Sequence, residues 1–148
     1  MRILDLCNED VVVARPRESL RRVARRMVDR GVGALVVVDA LNHPLGIVTD
    51  RDLMRHVAAS GRDPGRTRVE EVMSGPAVWI RETASVEDAL GEMARLRVRR
   101  LPVIDASERL AGIFTLDDAL RLALPPESPA GRALRANLEP PAAEAAPA

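Results

Sequence analysis

The chain has 148 residues, 47% of them hydrophobic, which is enough for one compact core or for two small halves that share a core. Its formal net charge is zero, so it lacks the basic field by which proteins hold nucleic acid or an anionic membrane. All 22 cationic residues are Arg, a side chain that grips phosphate through two parallel hydrogen bonds. There is no signal-peptide pattern and no apolar run of about 18 residues, so we expect a cytoplasmic protein that does not bind membranes.

The first half of the chain predicts the order strand, helix, strand, strand, helix. A short apolar run at residues 11–13 predicts the first strand. Apolar residues then recur at helical spacing behind Ser19, a residue type that caps helices. This predicted apolar stripe consists of Leu20, Val23, Ala24, Met27 and Val28. Residues 34–39 and 45–49 predict two strands joined by a turn, and a second helix is expected to end near Gly61.

The second half repeats the first at a fixed spacing. Gly46 begins the segment GIVT and Gly112 begins GIFT, and we call the spacing between these two glycines the repeat offset. No gap is needed from about residue 3 to residue 121, and such a long ungapped register predicts two copies of one fold. In the second copy Ser85 and Asp88 form a capping-box pattern at the start of the helix.

Composition divides the chain into four segments. Residues 3–60 and 69–124 are the two repeats, and the polar segment 61–68, with Gly and Pro, predicts a linker. From residue 125 to 148 the composition shifts to a tail that we expect to be mostly disordered, with one weak helix at residues 130–138.

Several segments resemble the CBS domain, the small module first named in cystathionine beta-synthase. In the first repeat they are MVDRGVGALVVVD at residues 27–39 and GIVTDRDL at 46–53. In the second they are RRLPVID at 99–105 and GIFTLDD at 112–118, after the lead-in VEEVM at 69–73. The resemblance implies an α+β fold of two tandem repeats, packed as one pseudo-twofold CBS pair that often dimerises. It also implies that the clefts bind AMP, ADP, ATP or S-adenosylmethionine.

The second repeat carries the stronger binding pattern. Thr115 lies where a strand gives way to a helix, whose free N–H groups favour an anion, and Asp118 is placed to accept hydrogen bonds from ribose hydroxyls. The resemblance implies that these two positions contact ribose and phosphate, and that Arg99 and Arg100 reach the phosphates. Thr-x-x-Asp at a helix start is also a capping box, which needs no ligand. Both interpretations remain open.

The first repeat offers a weaker pattern. Thr49 and Asp52 repeat the Thr-x-x-Asp spacing, and the capping interpretation fits them equally well. Only Arg51 is available there as a local cation, and it has Asp50 or a partner chain as alternative ion-pair partners.

Trp79 lies in the apolar run at residues 77–80, which predicts the first strand of the second repeat. The resemblance implies that this strand borders the base of a bound nucleotide. The Trp79 ring is able to stack on adenine, to fill the core or to plug the site, and packing in the core is the favoured interpretation.

Catalysis has little support in the sequence. One cysteine, Cys7, forbids an internal disulfide, and with two histidines it gives too few soft ligands for a zinc site. No Ser-His-Asp set, phosphate-cradling Gly loop or acid–base pair is present. We therefore expect a non-catalytic regulatory module that requires no cofactor, binds an adenosyl ligand, forms a homodimer and acts on an unidentified protein. The alternative is a ligand-free dimeric docking platform.

Overall fold

The computed structural model describes residues 2–138, so the predicted disorder of residues 139–148 lies outside the described residues. The chain forms two compact units that divide after Thr115. Within residues 2–138, the first unit holds two three-stranded sheets, and the second holds two helices. The predicted α+β class is confirmed.

The first sheet consists of β1 (Val13–Ala14), β2 (Ala34–Val38) and β3 (Pro44–Thr49), in that order. Strand β1 runs parallel to β2, and β3 runs antiparallel to it. Helix α1 (Leu20–Arg30) connects the parallel pair. β2 is an uninterrupted ALVVV segment with four buried residues, because β-branched side chains fit a pleated surface that is covered on both faces.

A second helix, α2, follows the last strand of this sheet. It has α geometry over Asp50–Leu53 and continues as a π-helix over Met54–Ala59. The α-helical part of α2 contacts α1, so the two helices of the first repeat pack together.

The second sheet has the same order and directions, with β4 (Ile80–Arg81), β5 (Arg100–Ile104) and β6 (Leu110–Thr115). Helix α3 (Val86–Leu96) connects β4 to β5. Even the register shift recurs, next to Val37 in one sheet and next to its counterpart Val103 in the other. The prediction of two copies of one fold is confirmed.

The second unit contains the last two helices of the described chain. Helix α4 (Leu116–Ala123) follows β6 directly and contacts α5 (Pro129–Leu138). The bounds of α5 are close to those of the helix predicted at residues 130–138.

The segments that precede each repeat are exchanged between the repeats. We call residues 3–8 lead-in 1 and residues 69–74 lead-in 2. Lead-in 1 pairs with the second sheet, where Asn8 and Ile113 exchange two backbone hydrogen bonds of 2.9 Å. Lead-in 2 pairs with the first sheet, where Ser74 and Ile47 exchange bonds of 2.9 and 3.1 Å. Each repeat therefore completes the sheet of the other.

The segment between the repeats is held by hydrogen bonds. Thr67 is buried, its hydroxyl donates to the Asp63 carbonyl at 2.8 Å, and its own carbonyl accepts from the N–H of Leu20 at 3.0 Å. The segment thus contacts the first turn of α1, where N–H groups lack partners inside the helix.

Two core predictions were wrong. Val28 is 80% exposed, whereas Leu20, Val23 and Met27 of the same stripe are buried. Each helical residue advances about 100°, so Val28 lies about 80° from Leu20 on the side away from Val23, at the margin of the stripe. Trp79 is 40% exposed and does not fill the core, because it precedes β4 instead of lying within it.

Candidate functional site

The predicted residues of the first repeat lie together at the end of the first sheet where β2 begins and β3 finishes. We call this end of each sheet its edge. Because β2 and β3 are antiparallel, the start of β2 lies beside the end of β3, and Ala34 pairs with Thr49. Beyond that pair, the N–H of Asp50 donates to the Gly33 carbonyl at 3.0 Å. The start of α2 is thereby fixed against the start of β2, and the two form one edge.

Thr49 and Asp52 form a complete capping box at that edge. The Thr49 hydroxyl accepts from the N–H of Asp52 at 3.2 Å and donates to Asp52 Oδ2 at 3.0 Å, while Oδ2 also accepts from the N–H of Thr49 at 2.9 Å. The capping interpretation is confirmed. The cap uses Oδ2 and leaves Oδ1 outside it, so Asp52 keeps one oxygen that is able to accept a hydrogen bond from a ligand hydroxyl.

Arg51 contacts Asp50 only through the backbone. Its N–H donates to Asp50 Oδ1 at 2.7 Å. Within residues 2–138 the guanidinium of Arg51 forms no ion pair with Asp50. The predicted alternative of an Arg51–Asp50 ion pair is therefore wrong.

The equivalent edge of the second sheet is basic. Arg100 pairs with Thr115 across β5 and β6, as Ala34 pairs with Thr49, and Arg99 comes directly before β5. Arg97 ends α3 two residues earlier, in the left-handed conformation with φ of 56°. In the part of the chain that the structure describes, the guanidinium groups of these three arginines form no hydrogen bond or ion pair. They are therefore available to an anion.

Asp118 belongs to α4 in the second unit, whereas Thr115 is the last residue of the first. A shared role for these two residues stays a prediction from their spacing and from the family resemblance.

Trp79 directly precedes β4. Strand β4 runs parallel to β5, with Ile80 beside Val103, so this register continues from Trp79 to Pro102, two residues after Arg100. The Arg81 guanidinium lies 5.7 Å from the centroid of the Trp79 ring, a cation–π contact, and 3.6 Å from the Glu108 carboxylate. Adenine stacking on the exposed part of this ring remains a prediction.

Sequence reasoning missed Arg97 and Arg81. Arg97 carried a signal, because arginines at 97, 99 and 100 surround the start of a predicted strand. Arg81 carried none, because its contact with Trp79 depends on how two side chains turn in space.

A polar groove of about 330 Å³ lies beside the first strand of the first repeat. Arg26 spans it, with 2.6 and 2.9 Å hydrogen bonds to the two carboxylate oxygens of Glu18 and a 2.7 Å bond to the Val13 carbonyl. The Arg26 hydrogen bond holds the pKa of Glu18 below its ordinary value, against the opposing effect of burial. The charges of Glu18 and Arg26 in this groove therefore neutralise each other.

Metal-ligand groups are sparse. Over residues 2–138 there is no cluster of three or more His, Cys, Asp or Glu side chains that could hold a metal ion. No helix in the same range is long and apolar enough to cross a membrane.

The family of the chain follows from the duplicated sheets and from a direct match. The CBS domain family model matches twice, at residues 3–59 and 69–125. The chain therefore belongs to the CBS domain family and consists of two tandem CBS repeats.

Similar proteins cover most of the chain. The CBS domain-containing protein YhcV of Bacillus subtilis is 37% identical over 116 residues, which are 78% of this chain and 81% of YhcV. An uncharacterized protein of Methanopyrus kandleri is 32% identical over 80% of this chain, but the match spans only 60% of that protein. A crystal structure of Hypoxic Response Protein I with two coordinated zinc ions has a TM-score of 0.75 at 31% identity, and covers 84% of this chain and 100% of that one.

A more distant structure shows the same fold. It is the CBS domain pair of protein MJ0100 in complex with 5′-methylthioadenosine and S-adenosyl-L-methionine. Its TM-score is 0.73 at 23% identity, over 83% of this chain and 95% of that one.

Proposed function

We propose that the chain is a non-catalytic regulatory module that binds an adenine nucleotide or a related adenosyl ligand at the edges of its two sheets. The observation that carries the proposal is that Arg100 pairs with Thr115 across β5 and β6, with Arg97 and Arg99 just before it in the chain. Guanidinium groups that form no hydrogen bond or ion pair within residues 2–138, next to a strand end, suit the binding of phosphate. The ligands that we propose for this edge are AMP, ADP and ATP.

The ligand's other groups have candidate partners on the same chain. We propose that Asp118 accepts hydrogen bonds from the ribose hydroxyls, that Thr115 contacts the phosphate, and that the exposed Trp79 ring stacks on adenine. The complex of the MJ0100 pair with 5′-methylthioadenosine and S-adenosyl-L-methionine supports an adenosyl ligand for a module of this fold.

The proposal is tested with the only tryptophan of the chain as a reporter. AMP, ADP and ATP are titrated while Trp79 fluorescence and the melting temperature are followed, because a ligand that binds only the native state raises the melting temperature. Arg100→Ala should weaken binding by at least about tenfold, since a charge-assisted hydrogen bond contributes about 1.5–3 kcal/mol. Thr49→Ala, in the other repeat, should leave this titration nearly unchanged. If neither the three nucleotides nor S-adenosylmethionine at millimolar concentration changes either signal, the proposal is wrong.

A second candidate function is a dimeric docking platform that needs no ligand. It is favoured by exposed apolar side chains on the first two helices, Val28 at 80% and Met54 at 62% exposure. A nearly apolar groove of about 320 Å³ lies between the same helices, lined by Leu20, Ala24, Leu53 and Val57 among others. We propose that a second copy of the chain covers this face, because exposed apolar surface favours association.

Native mass spectrometry separates the two functions. A homodimer that forms equally with and without AMP, and that Met54→Arg converts to monomer, supports the platform. A matched control is Arg55→Glu, the next residue, which changes charge without removing apolar surface. A dimer that assembles only in the presence of AMP would instead show that dimerisation depends on ligand binding.

A further inference from the structure

The two repeats differ in charge at the place where a ligand's phosphate would lie. The repeat offset aligns Gly33 with Arg99 and Ala34 with Arg100. It also aligns Asp50, the first residue of α2, with Leu116. The first repeat thus lacks both arginines and has a carboxylate where the second repeat has an apolar side chain.

The Asp50 carboxylate lies where a side chain at position 33 would begin. A Cβ atom added at Gly33 would lie 3.0 Å from Asp50 Oδ2. The other oxygen, Oδ1, accepts the 2.7 Å hydrogen bond from the N–H of Arg51 and is thereby held in position. The carboxylate is exposed, and in the described residues no cationic side chain pairs with it, so its charge is not neutralised.

A second carboxylate lies close by in the same first turn of α2. Asp52 is held by the capping box through Oδ2, and its Oδ1 lies outside the cap. The three charged side chains of this turn, Asp50, Arg51 and Asp52, carry a net charge of about −1, and β2 adds no arginine, so the arrangement disfavours a phosphate. It does not repel an uncharged nucleoside, and it attracts a cation. The free oxygen of Asp52 suits a ribose hydroxyl in either case.

We propose that the first repeat binds an adenosyl ligand that carries no phosphate, whereas phosphorylated nucleotides bind only at the second repeat. This inference rests on the proposed function, because it assumes that the edge of each sheet is a ligand site. It assigns a ligand class to each site: an uncharged or cationic adenosyl compound to the Asp50 side, and a nucleotide to the Arg100 side.

Isothermal titration calorimetry of the full chain tests the assignment. The probes are AMP, which carries a phosphate, 5′-methylthioadenosine, which is uncharged, and S-adenosylmethionine, which carries a sulfonium charge. In the unaltered protein AMP should bind with one equivalent per chain. In Arg100→Ala, AMP binding should weaken by at least about tenfold, while binding of 5′-methylthioadenosine at the first repeat persists.

Removing the negative charge should open the first repeat to phosphate. Asp50→Asn keeps an oxygen for the Arg51 N–H, and Asp50→Arg also supplies a cation. Both should add a second equivalent of AMP, and Asp50→Asn should weaken S-adenosylmethionine more than 5′-methylthioadenosine. The control is Asp29→Asn, an equal change of charge at an exposed position on α1, which should leave all three titrations unchanged.

The outcomes separate this inference from the proposed function. Two equal AMP equivalents in the unaltered protein, or one equivalent in both Asp50 variants, would overturn the assignment while leaving adenosyl binding intact. Loss of 5′-methylthioadenosine binding together with AMP binding in Arg100→Ala would also overturn it. No heat from any of the three probes in the unaltered protein would reject the proposed function, and the assignment with it.

Discussion

Gly46 lies against the backbone of Ser74, so closely that a Cβ atom at position 46 would come within 2.5 Å of the Ser74 carbonyl oxygen. Gly46 is in β3 of the first repeat, and Ser74 is in lead-in 2. The equivalent glycine, Gly112, lies in the same way against Cys7 and Asn8 of lead-in 1. Each glycine is needed because a segment from the other repeat passes directly over it.

Gly46→Ala should therefore destabilise the chain. The new methyl group meets backbone, which cannot rotate away, and overpacking of this kind costs about 1–3 kcal/mol. Urea unfolding measures the loss. Gly91→Ala is the matched control: this glycine lies within α3 with no atom in reach of a Cβ, so the same substitution should stabilise by about 0.5–1 kcal/mol. Equal effects of the two substitutions would show that lead-in 2 does not pack on Gly46.

The Glu18–Arg26 pair should make stability depend on pH. Because the hydrogen bond with Arg26 lowers the pKa of Glu18 in the folded chain, the stabilisation is present above the ordinary value of 4.5 and is lost as pH falls through the lower folded pKa. Glu18→Gln should thus cost about 1–3 kcal/mol at neutral pH, and progressively less as the pH is lowered below 4.5. Urea unfolding at neutral pH and at one pH below that value measures both costs.

The control for this pH effect is Glu92→Gln. Glu92 pairs with Arg95 on the exposed face of α3, where water screens the interaction, so its substitution should change stability less at either pH. A difference between Glu18→Gln and the unaltered chain that is the same at both pH values would contradict the role of the Glu18 charge.

The capping box of α2 should stabilise the chain without any ligand. Thr49→Ala removes the hydroxyl that accepts from the N–H of Asp52, and should cost about 1 kcal/mol. Thr49→Ser keeps that hydroxyl, and serine caps helices at least as well as threonine, so this variant should lose much less stability. Thermal unfolding of ligand-free protein compares the two. A serine variant as unstable as the alanine variant would assign the effect to the lost methyl group instead of the cap.

Arg97 should lower the stability of the fold while strengthening AMP binding. Its φ of 56° is a conformation that glycine adopts without strain, and Gly31 holds the equivalent place in the first repeat with φ of 62°. Arg97→Gly should therefore stabilise the chain by about 1 kcal/mol and, by removing a guanidinium from the Arg100 edge, weaken AMP binding. Unfolding and calorimetry on one preparation measure both effects.

The control for the stability effect is Arg95→Gly. Arg95 lies in the last turn of α3 and pairs with Glu92, and glycine is a poorer helix residue than arginine, so this substitution should destabilise the chain. An Arg97→Gly variant that binds AMP normally would remove Arg97 from the site.

Patterns that depend on neighbours along the chain could be predicted from the sequence. The capping boxes at Ser85–Asp88 and Thr49–Asp52 form as expected, because each joins groups that are close together in the chain. The duplicated fold was also predictable, because the repeat offset holds without a gap. Two sheets with one register pattern confirm it.

Features that depend on distant residues could not be predicted. The Asp50 carboxylate beside Gly33 follows from the pairing of β2 with β3, and the position of the Trp79 ring follows from where β4 begins. The spacing of Val28 fits a helical stripe and so predicts a core position, but spacing alone does not tell how wide a stripe the sheet covers.

The exchanged lead-ins have a consequence for aggregation. β3 and β6 are outer strands of their sheets, and an outer strand with free N–H and C=O groups is a template for pairing with other molecules. Ser74 forms hydrogen bonds with the N–H and C=O groups of Ile47 in β3, and Asn8 does the same with those of Ile113 in β6. Cutting the chain between the repeats and separating them would expose both outer strands, β3 and β6. A separated repeat should therefore aggregate where the intact pair does not. Each repeat thus protects the other from intermolecular β-pairing.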